Sequence, residues 1–267
     1  MTEGWAAATG SQVRSACRSS RINSPTAGMA DGYVQANLVM VPSSLADDFQ
    51  LFCDLNPIPC PLLERTPVGV FEPVIFAPGS DIRTDAARYM VYRNGLPDSD
   101  KPVDVSHEDT SDLAGFLIGC SFTFEAAMAQ AGFELRHQKQ GVNVPMYRTS
   151  LACTPAGSLE GPMVVSMRPI AKTRVAEVRD LTAQYARVHG APIHVGDPAA
   201  IGIASLNKPD WGDAVEIQLG EVPVFWGCGV TPQAVAQASK PELMITHAPG
   251  HMFVTDVKDV ELQKDEI

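Results

Sequence analysis

Residues Leu113 to Gly132 read LAGFLIGCSFTFEAAMAQAG, and this stretch limits the folds open to the chain more than any other. Its opening run is almost wholly apolar. That length suits a strand buried on both faces, as in a parallel sheet. The pattern turns over at Gly119-Cys120-Ser121. Phe122 to Ala131 then suits a helix, and Gly132 stands where a helix ends. A buried strand that runs through a small-residue turn into a helix is the unit from which open α/β sheets build ligand sites. Such sites lie beyond the carboxyl ends of the strands, against helix N-termini with free N–H groups. Cys120, Ser121, Thr123 and Glu125 fall at or just after this turn. Plainer uses compete: Ser121 caps the helix, and Cys120 fills core volume.

The 267 residues are enough for one large domain or two modest ones, and 45% are apolar, as in an ordinary globular core. A net charge of −11 disfavours a nucleic-acid partner and supplies no basic patch for a membrane surface. The six cysteines, Cys17, Cys53, Cys60, Cys120, Cys153 and Cys228, form no CxxC pair and no zinc spacing, so free thiols are expected. The first residues, MTEGWAAATGSQVRS, lack the basic start and apolar run of a signal peptide. No window approaches the roughly 18 apolar residues of a membrane span. A cytoplasmic protein is the expectation.

Along the chain, Gln35–Val41 reads as a strand, followed by a helix to about Leu55. Pro57, Pro59, Pro61 and Pro67 make a stiff connection. Val70–Phe76 and Arg88–Arg93 read as strands, with a hairpin turn at Asn94-Gly95 and a return strand at Val103–Val105. Pro162–Arg168 is a strand, and Thr173–Val188 has helical spacing. The last third repeats the opening device. Pro192–Val195 leads to Gly196-Asp197-Pro198, Val222–Trp226 to Gly227-Cys228-Gly229, and Leu243–Thr246 to His247-Ala248-Pro249-Gly250-His251. If the strands are parallel, these turns and Gly119-Cys120-Ser121 meet on one edge of the sheet. The expected fold is therefore α/β: a three-layer α/β/α domain with a mostly parallel central sheet, formed by 1–132 and 192–267. A smaller two-layer α+β domain, 133–191, is inserted in it.

Several residues carry chemistry. His247 and His251 flank a Pro-Gly turn and titrate nearest neutrality, which suits an acid/base pair; a purely structural use of the loop competes with this. Arg148 and Arg168 offer planar forks to a substrate carboxylate, against the commoner use of arginine in ion pairs. Cys120 and Cys228 sit at turns where a helix N-terminus lowers a thiol pKa, although an inert small residue is the plainer reading. Asn143, Thr123, Asn207 and the open backbone at Gly227 and Gly229 complete the set as substrate contacts. The catalytic candidates are His247, His251, Cys120 and Ser121. There is no GxGxxG, no GxxxxGK[ST] and no GxSxG, so no nicotinamide, flavin or nucleotide cofactor is expected; His247 and His251 with Asp256 have no recognised metal-ligand spacing, so no metal is expected.

Seven segments form a recognisable set: FLIGCSFTFE (116–125), GVNVPMYRT (141–149), GPMVVSMRPI (161–170), HGAPIHVGDPAAIGI (189–203), LNKPDWGD (206–213), EVPVFWGCGVTPQ (221–233) and THAPGHMFVTD (246–256). Together they resemble the blocks of a bacterial family named "putative hydro-lyase", and they are similar to the N-terminal part of the mitochondrial D-glutamate cyclase. The resemblance runs from about Val13 to Asp256. It implies a carbon–oxygen lyase that eliminates water from a small carboxylic or amino acid. In the cyclase version the amine of D-glutamate attacks its own side-chain carboxyl, water leaves, and 5-oxo-D-proline forms. It also implies an α/β fold with a three-layer and a two-layer part. Such chemistry asks for a carboxylate holder, for which Arg148 is the choice. It asks for a proton carrier, His247 or His251, and for an anion cradle, the Cys120–Ser121 turn. The partner is then a small carboxylate, and a homo-oligomer is compatible with the sequence. The competing reading is a non-catalytic protein that binds or senses a small acid.

Overall fold

The computed structural model of the chain describes residues 4–263. The chain lays down part of one sheet, leaves to build a second, and returns to the first. The outward pass supplies β1 (Tyr33–Pro42), β2 (Leu62–Arg65), β3 (Tyr89–Arg93), β4 (Leu96–Pro97) and β5 (Leu113–Gly119). The second sheet is β6 (Met146–Ala152), β7 (Pro162–Ala171), β8 (His194–Val195) and β9 (Glu221–Gly227), in the order β6-β7-β9-β8. The return pass supplies β10 (Leu243–His247) and β11 (Phe253–Lys258), which complete the order β2-β5-β1-β10-β3-β4 with β11 also paired to β1. Helices α1 (Gly10–Arg18), α2 (Ser43–Leu55), α3 (Glu125–Gln130), α4 (Arg136–Gln140), α5 (Val175–Ala183) and α6 (Thr231–Ser239) pack around the sheets.

Every strand pair in both sheets is antiparallel, which overturns the expected α/β fold with a mostly parallel central sheet. The physical reason lies in what an apolar run reports. Leu113–Gly119 is buried at all seven positions, so the strand is covered on both faces, as its composition requires. A parallel sheet is one way to cover both faces, and here an antiparallel sheet is covered twice. Leu117 faces a core shared with Leu38, Ile245, Phe124 and Trp226. Phe116 and Ile118 face a second core with Phe49 and Phe52 of α2. Strand β9 contributes Val224 and Trp226 to the first core and turns Phe225 to a third, so the second sheet packs one face against the first sheet.

Local expectations fared unevenly. The helix after the central turn starts as a tight 3₁₀ turn over Ser121–Phe124 and continues as α3, with Gly132 in the left-handed region at φ 78°. Cys120, rather than Ser121, is its cap residue: Sγ accepts from the Phe122 N–H at 3.5 Å. Asp197 caps a 3₁₀ turn through the Ala199 N–H, as expected. Val70–Phe76 is not a strand, because the proline-rich connection places the edge strand β2 earlier. The hairpin at Asn94-Gly95 closes at once on Leu96–Pro97 instead of Val103–Val105. All six cysteines are free and buried.

Three of the four strand-end turns still meet, for a different reason; Gly196-Asp197-Pro198 does not join them, because β8 is antiparallel to β9 and ends toward its start. Strands β5 and β10 are both antiparallel to β1 and therefore run the same way. Gly119 lies opposite Ala36 and Thr246 opposite Val39, so both strands end toward the start of β1. The end of β9 is brought onto this seam by Asn37. Its Nδ2 donates to the Gly119 carbonyl at 2.7 Å, and a Cβ on Gly229 would lie 1.9 Å from the same nitrogen. Gly229→Ala should therefore cost about 1–3 kcal/mol, the usual range for overpacking a well-packed interior, measured by denaturant or thermal unfolding. Combining it with Asn37→Ala should cost less than the sum of the two single changes, because the second removes the clashing group. Full additivity would show that the two residues do not pack as described.

Candidate functional site

One packed cluster gathers the ends of several elements. Cys120 and Phe122 come from the turn after β5, Val144 and Met146 from the entry to β6, Cys228 and Val230 from the turn after β9, and Met252 from the loop after β10. It is not fully sealed: Cys120, Phe122 and Cys228 each keep 7% of their surface accessible. Burial pushes the Cys120 thiol well up and the Cys228 thiol up to about 11. Both sulfurs are thus neutral thiols at neutral pH, and the helix start does not outweigh desolvation.

Arg168 and Ser121 belong to a buried ion network. The Arg168 Nε donates to Glu125 Oε1 at 2.8 Å, and Nη2 reaches the same oxygen. Nη2 also donates to Ser121 Oγ at 3.0 Å, and Nη1 to Ser166 Oγ at 3.1 Å. The guanidinium lies between the rings of Phe124 and Trp226. Glu125 also accepts from Gln138 at 2.6 Å and faces His137 Nε2 at 3.2 Å. Burial alone would raise the Glu125 carboxyl, but His137 and Arg168 outweigh it and hold it down to about 2. The charge of Arg168 is therefore already matched by a carboxylate of the chain itself, and Ser121 is held by that pair.

His247 is fully buried, and its ring serves the sheet. Strand β10 pairs with β1 at Val39 and Met40, and β11 pairs with it at Gln35 and Ala36. Leu38 lies in the gap. Its N–H and its carbonyl lie 3.1 and 3.2 Å from His247 Nδ1, so the imidazole supplies the backbone partner that a neighbouring strand would have given. Nδ1 can accept from the N–H or donate to the carbonyl, and Nε2 is buried without a partner. Burial lowers the His247 pKa to about 4. His251 is less deeply set. Its Nδ1 lies 3.0 Å from the Pro249 carbonyl, and burial lowers its pKa below the ordinary imidazole range. Asn143 donates from Nδ2 to the same carbonyl at 3.2 Å and packs on Gly250, while its Oδ1 is buried without a partner.

Arg148 stands beside this cluster and is spent less completely than Arg168. Its guanidinium lies over the Trp211 ring, 4.8 Å from the centroid, and Trp211 in turn packs against the cluster. Nη2 donates to Gln237 Oε1; Nε is 3.6 Å from Asp210 and makes no hydrogen bond. A polar chain leads back from here to His247. Gln233 and Gln237 lie one turn apart on α6. Tyr92 donates to Gln233 Oε1 at 3.0 Å, and Gln233 donates to the His247 carbonyl at 3.0 Å.

The turns thus bring Cys120 and Cys228 into one cluster with Val144 and Met252, the chain neighbours of Asn143 and His251, and Arg148 reaches its margin through Trp211; Gly229 packs on Asn37, Gly227 on Ile58, Ser121 on Arg168, and His247 on Leu38. Thr123 sits on the far side of the 3₁₀ turn, where it bonds the backbone of Gln35. Asn207 lies in an exposed loop, its N–H bonded to Ser205 Oγ. Reading the sequence missed Asn37, Gln233 and His189. Asn37 had left a signal, a single amide in the middle of an apolar strand. His189 is buried, its Nδ1 donates to the Ile58 carbonyl at 2.7 Å, and burial lowers its pKa to about 4. A cleft of about 310 Å³ lies away from this junction. It lies against Thr123 and α3, on the other side of the Ser121–Phe124 turn.

Two stability predictions follow from these shifts. His189 and His247 titrate at about 4 when folded, below the unfolded value of roughly 6.5. The unfolded chain then binds more protons between those limits, so stability present above pH 6.5 is lost as pH falls toward 4, on the order of 3 kcal/mol per histidine. Thermal unfolding across pH 4–7 should show it, and His247→Asn should make the slope shallower. Glu125→Gln should cost about 3–5 kcal/mol, because it leaves the buried Arg168 charge uncompensated. A variant that melts like the parent would refute the network.

The chain is similar to known proteins along most of its length. The sequence profile of a family described as D-glutamate cyclase matches residues 114–256. A protein of Stutzerimonas stutzeri (strain A1501) is 56% identical over 250 residues, 94% of each chain. One of Geobacillus kaustophilus (strain HTA426) is 53% identical over 251 residues, covering 94% of this chain and 95% of its own. One of Bacillus subtilis (strain 168) is 52% identical over 250 residues, covering 94% and 97%. All three carry the name "putative hydro-lyase".

Proposed function

The chain belongs to the D-glutamate cyclase family, and we propose that it is a lyase that removes water from a small carboxylic or amino acid, with ring closure of D-glutamate to 5-oxo-D-proline as the form to test first. In that reaction the amine nitrogen bonds to the side-chain carboxyl carbon, the C–O bond breaks, and the oxygen leaves as water with two protons from the ammonium. The observation that carries the reading is a set of polar groups left unspent around one cluster. Asn143 Oδ1, Arg148 Nε and His247 Nε2 are all buried without a partner. An orphaned buried polar atom costs about 1–3 kcal/mol, a cost that a bound polar ligand removes.

The proposed roles follow from what each group has left to give. Arg148 holds the carboxylate, because its Nε is free and Trp211 fixes its plane. His251 carries the proton, since it is less buried than His247 and is neutral, hence basic, at neutral pH. His247 keeps its ring on Leu38 and offers Nε2, and Asn143 offers a carbonyl oxygen. Cys120 and Ser121 shape the wall. No nicotinamide, flavin or nucleotide is assigned, since the sequence contains none of the glycine-rich phosphate loops.

The test is a panel of hydroxy acids and amino acids, D-glutamate included, with products detected directly by mass as the loss of one water. His251→Asn should lower kcat by about 10²–10⁴-fold with little change in Tm. Arg148→Lys keeps the charge but loses the fork, so KM should rise more than kcat falls. Ligand-induced stabilisation without turnover on the whole panel would favour the non-catalytic small-acid binder instead.

A further inference from the structure

His189 is buried, and one of its ring nitrogens is left without work. It closes the 3₁₀ turn Ala186–Val188 that follows α5, and its own backbone is left-handed, with φ 88° and ψ −19°. An L side chain adopts that conformation uncommonly, so the imidazole is held here against a backbone preference. Two glycines fix its surroundings. A Cβ on Gly119, the last residue of β5, would lie 2.2 Å from the Arg187 carbonyl oxygen and 2.8 Å from Val188. A Cβ on Gly227, the last residue of β9, would lie 2.9 Å from the Ile58 carbonyl oxygen, the same oxygen that takes the His189 Nδ1–H at 2.7 Å. His189 and its partner are thus pressed onto the ends of β5 and β9. The next residues of those strands, Cys120 and Cys228, belong to the junction cluster, so His189 borders that cluster through the two glycines.

The bond to Ile58 settles the tautomer. A carbonyl only accepts, so Nδ1 carries the proton and Nε2 of the neutral ring is a lone pair. Burial keeps the ring neutral by lowering its pKa to about 4; Arg168 adds to this, and the Ile58 and Gly119 carbonyls oppose it. The Gly119 carbonyl cannot serve Nε2, because both are acceptors, and it already takes the Asn37 Nδ2–H at 2.7 Å. Among the described residues Nε2 is buried and has no donor, and Asn143 Oδ1 is left open in the same way.

A ligand that completes this set brings N–H or O–H donors together with an anion for Arg148. A single hydroxyl has one proton to give, whereas an amino group has two or three. We propose that His189 is a further substrate-contacting residue of the junction, its Nε2 accepting a hydrogen bond from the amino group of the bound acid. The inference rests on the lyase reading of the junction given above. The two ring nitrogens then have separate tasks: Nδ1–H holds the Ile58 loop, and Nε2 selects acids that carry a donor. An acid without one leaves Nε2 orphaned again, which is how a buried polar site rejects an analogue.

Substitution separates the two nitrogens. Asparagine tolerates the left-handed backbone and sets its amide where Nδ1 stands, so His189→Asn keeps a donor for Ile58 and removes Nε2. Glutamine reaches the position of Nε2 and loses Nδ1. D-glutamate and glutarate are the probes, since both carry two carboxylates and only the first carries an amine. Affinities are read by calorimetry on the full chain, with KM in place of Kd where D-glutamate is turned over. His189→Asn should weaken D-glutamate by about 10–100-fold, leave glutarate within about threefold, and melt close to the parent. His189→Gln should melt earlier yet hold D-glutamate within about threefold of the parent. Unchanged D-glutamate affinity in His189→Asn, or an equal loss of both acids, would overturn the inference and leave the lyase reading standing. A His189→Gln protein that loses D-glutamate as fully as the Asn variant would do the same. If the Asn variant fails to fold, the Gln variant decides alone: kept affinity supports the contact and lost affinity refutes it. A parent that binds neither acid would sink the lyase reading of the junction, and this inference with it.

Discussion

The buried pair of Glu125 and Arg168 joins the two halves of the molecule. Glu125 opens α3, the helix that follows β5 of the first sheet, and Arg168 lies on β7 of the other. An ion pair this deep stabilises a fold only when its remaining donors and acceptors are satisfied. Here Ser121, Ser166, His137 and Gln138 satisfy them, and Phe124 and Trp226 exclude water around the guanidinium. The position of the 3₁₀ turn, and with it Cys120 and Phe122, depends on this network. The turn has the junction of strand ends on one side and a cleft against α3 on the other.

Convergence of the strand ends does not need parallel pairing. Two strands that flank a common antiparallel neighbour share a direction, so β5 and β10 deliver their carboxyl ends to one edge across β1. The price is a gap where β10 and β11 divide the edge of β1 between them. His247 fills that gap with a ring nitrogen, which explains why an imidazole stands at a fully buried position in the sheet. The Nε2 left over is a by-product of that structural use. It is also one of the groups that give the junction its unspent polar capacity.

Arginine at this site illustrates how partners decide role. Arg168 and Arg148 both lie on second-sheet strands and both touch tryptophan rings. Arg168 is surrounded by acceptors and sealed from water, so its charge holds the sheets together. Arg148 is partly open, and its Nε has no hydrogen bond, so its fork retains capacity for a carboxylate. The proposed chemistry places binding on the incompletely paired arginine and proton transfer on the less buried histidine.

The sequence by itself determined the local devices of this protein. The apolar run 113–119 required a strand covered on both faces, Gly132 ended the helix, Asp197 capped its turn, and the family blocks identified the relatives. Each of these depends on residues close in the chain or on patterns carried intact along it. Tertiary structure alone decided strand direction, because burial on both faces is the same signal in a parallel and an antiparallel sheet. It also separated Arg168 from Arg148 and His247 from His251. Whether a charge or an imidazole is spent depends on partners such as Glu125, Gln237 and the Leu38 N–H, which lie 43, 89 and 209 positions away in the chain. Nothing in the residues adjacent to them records those contacts.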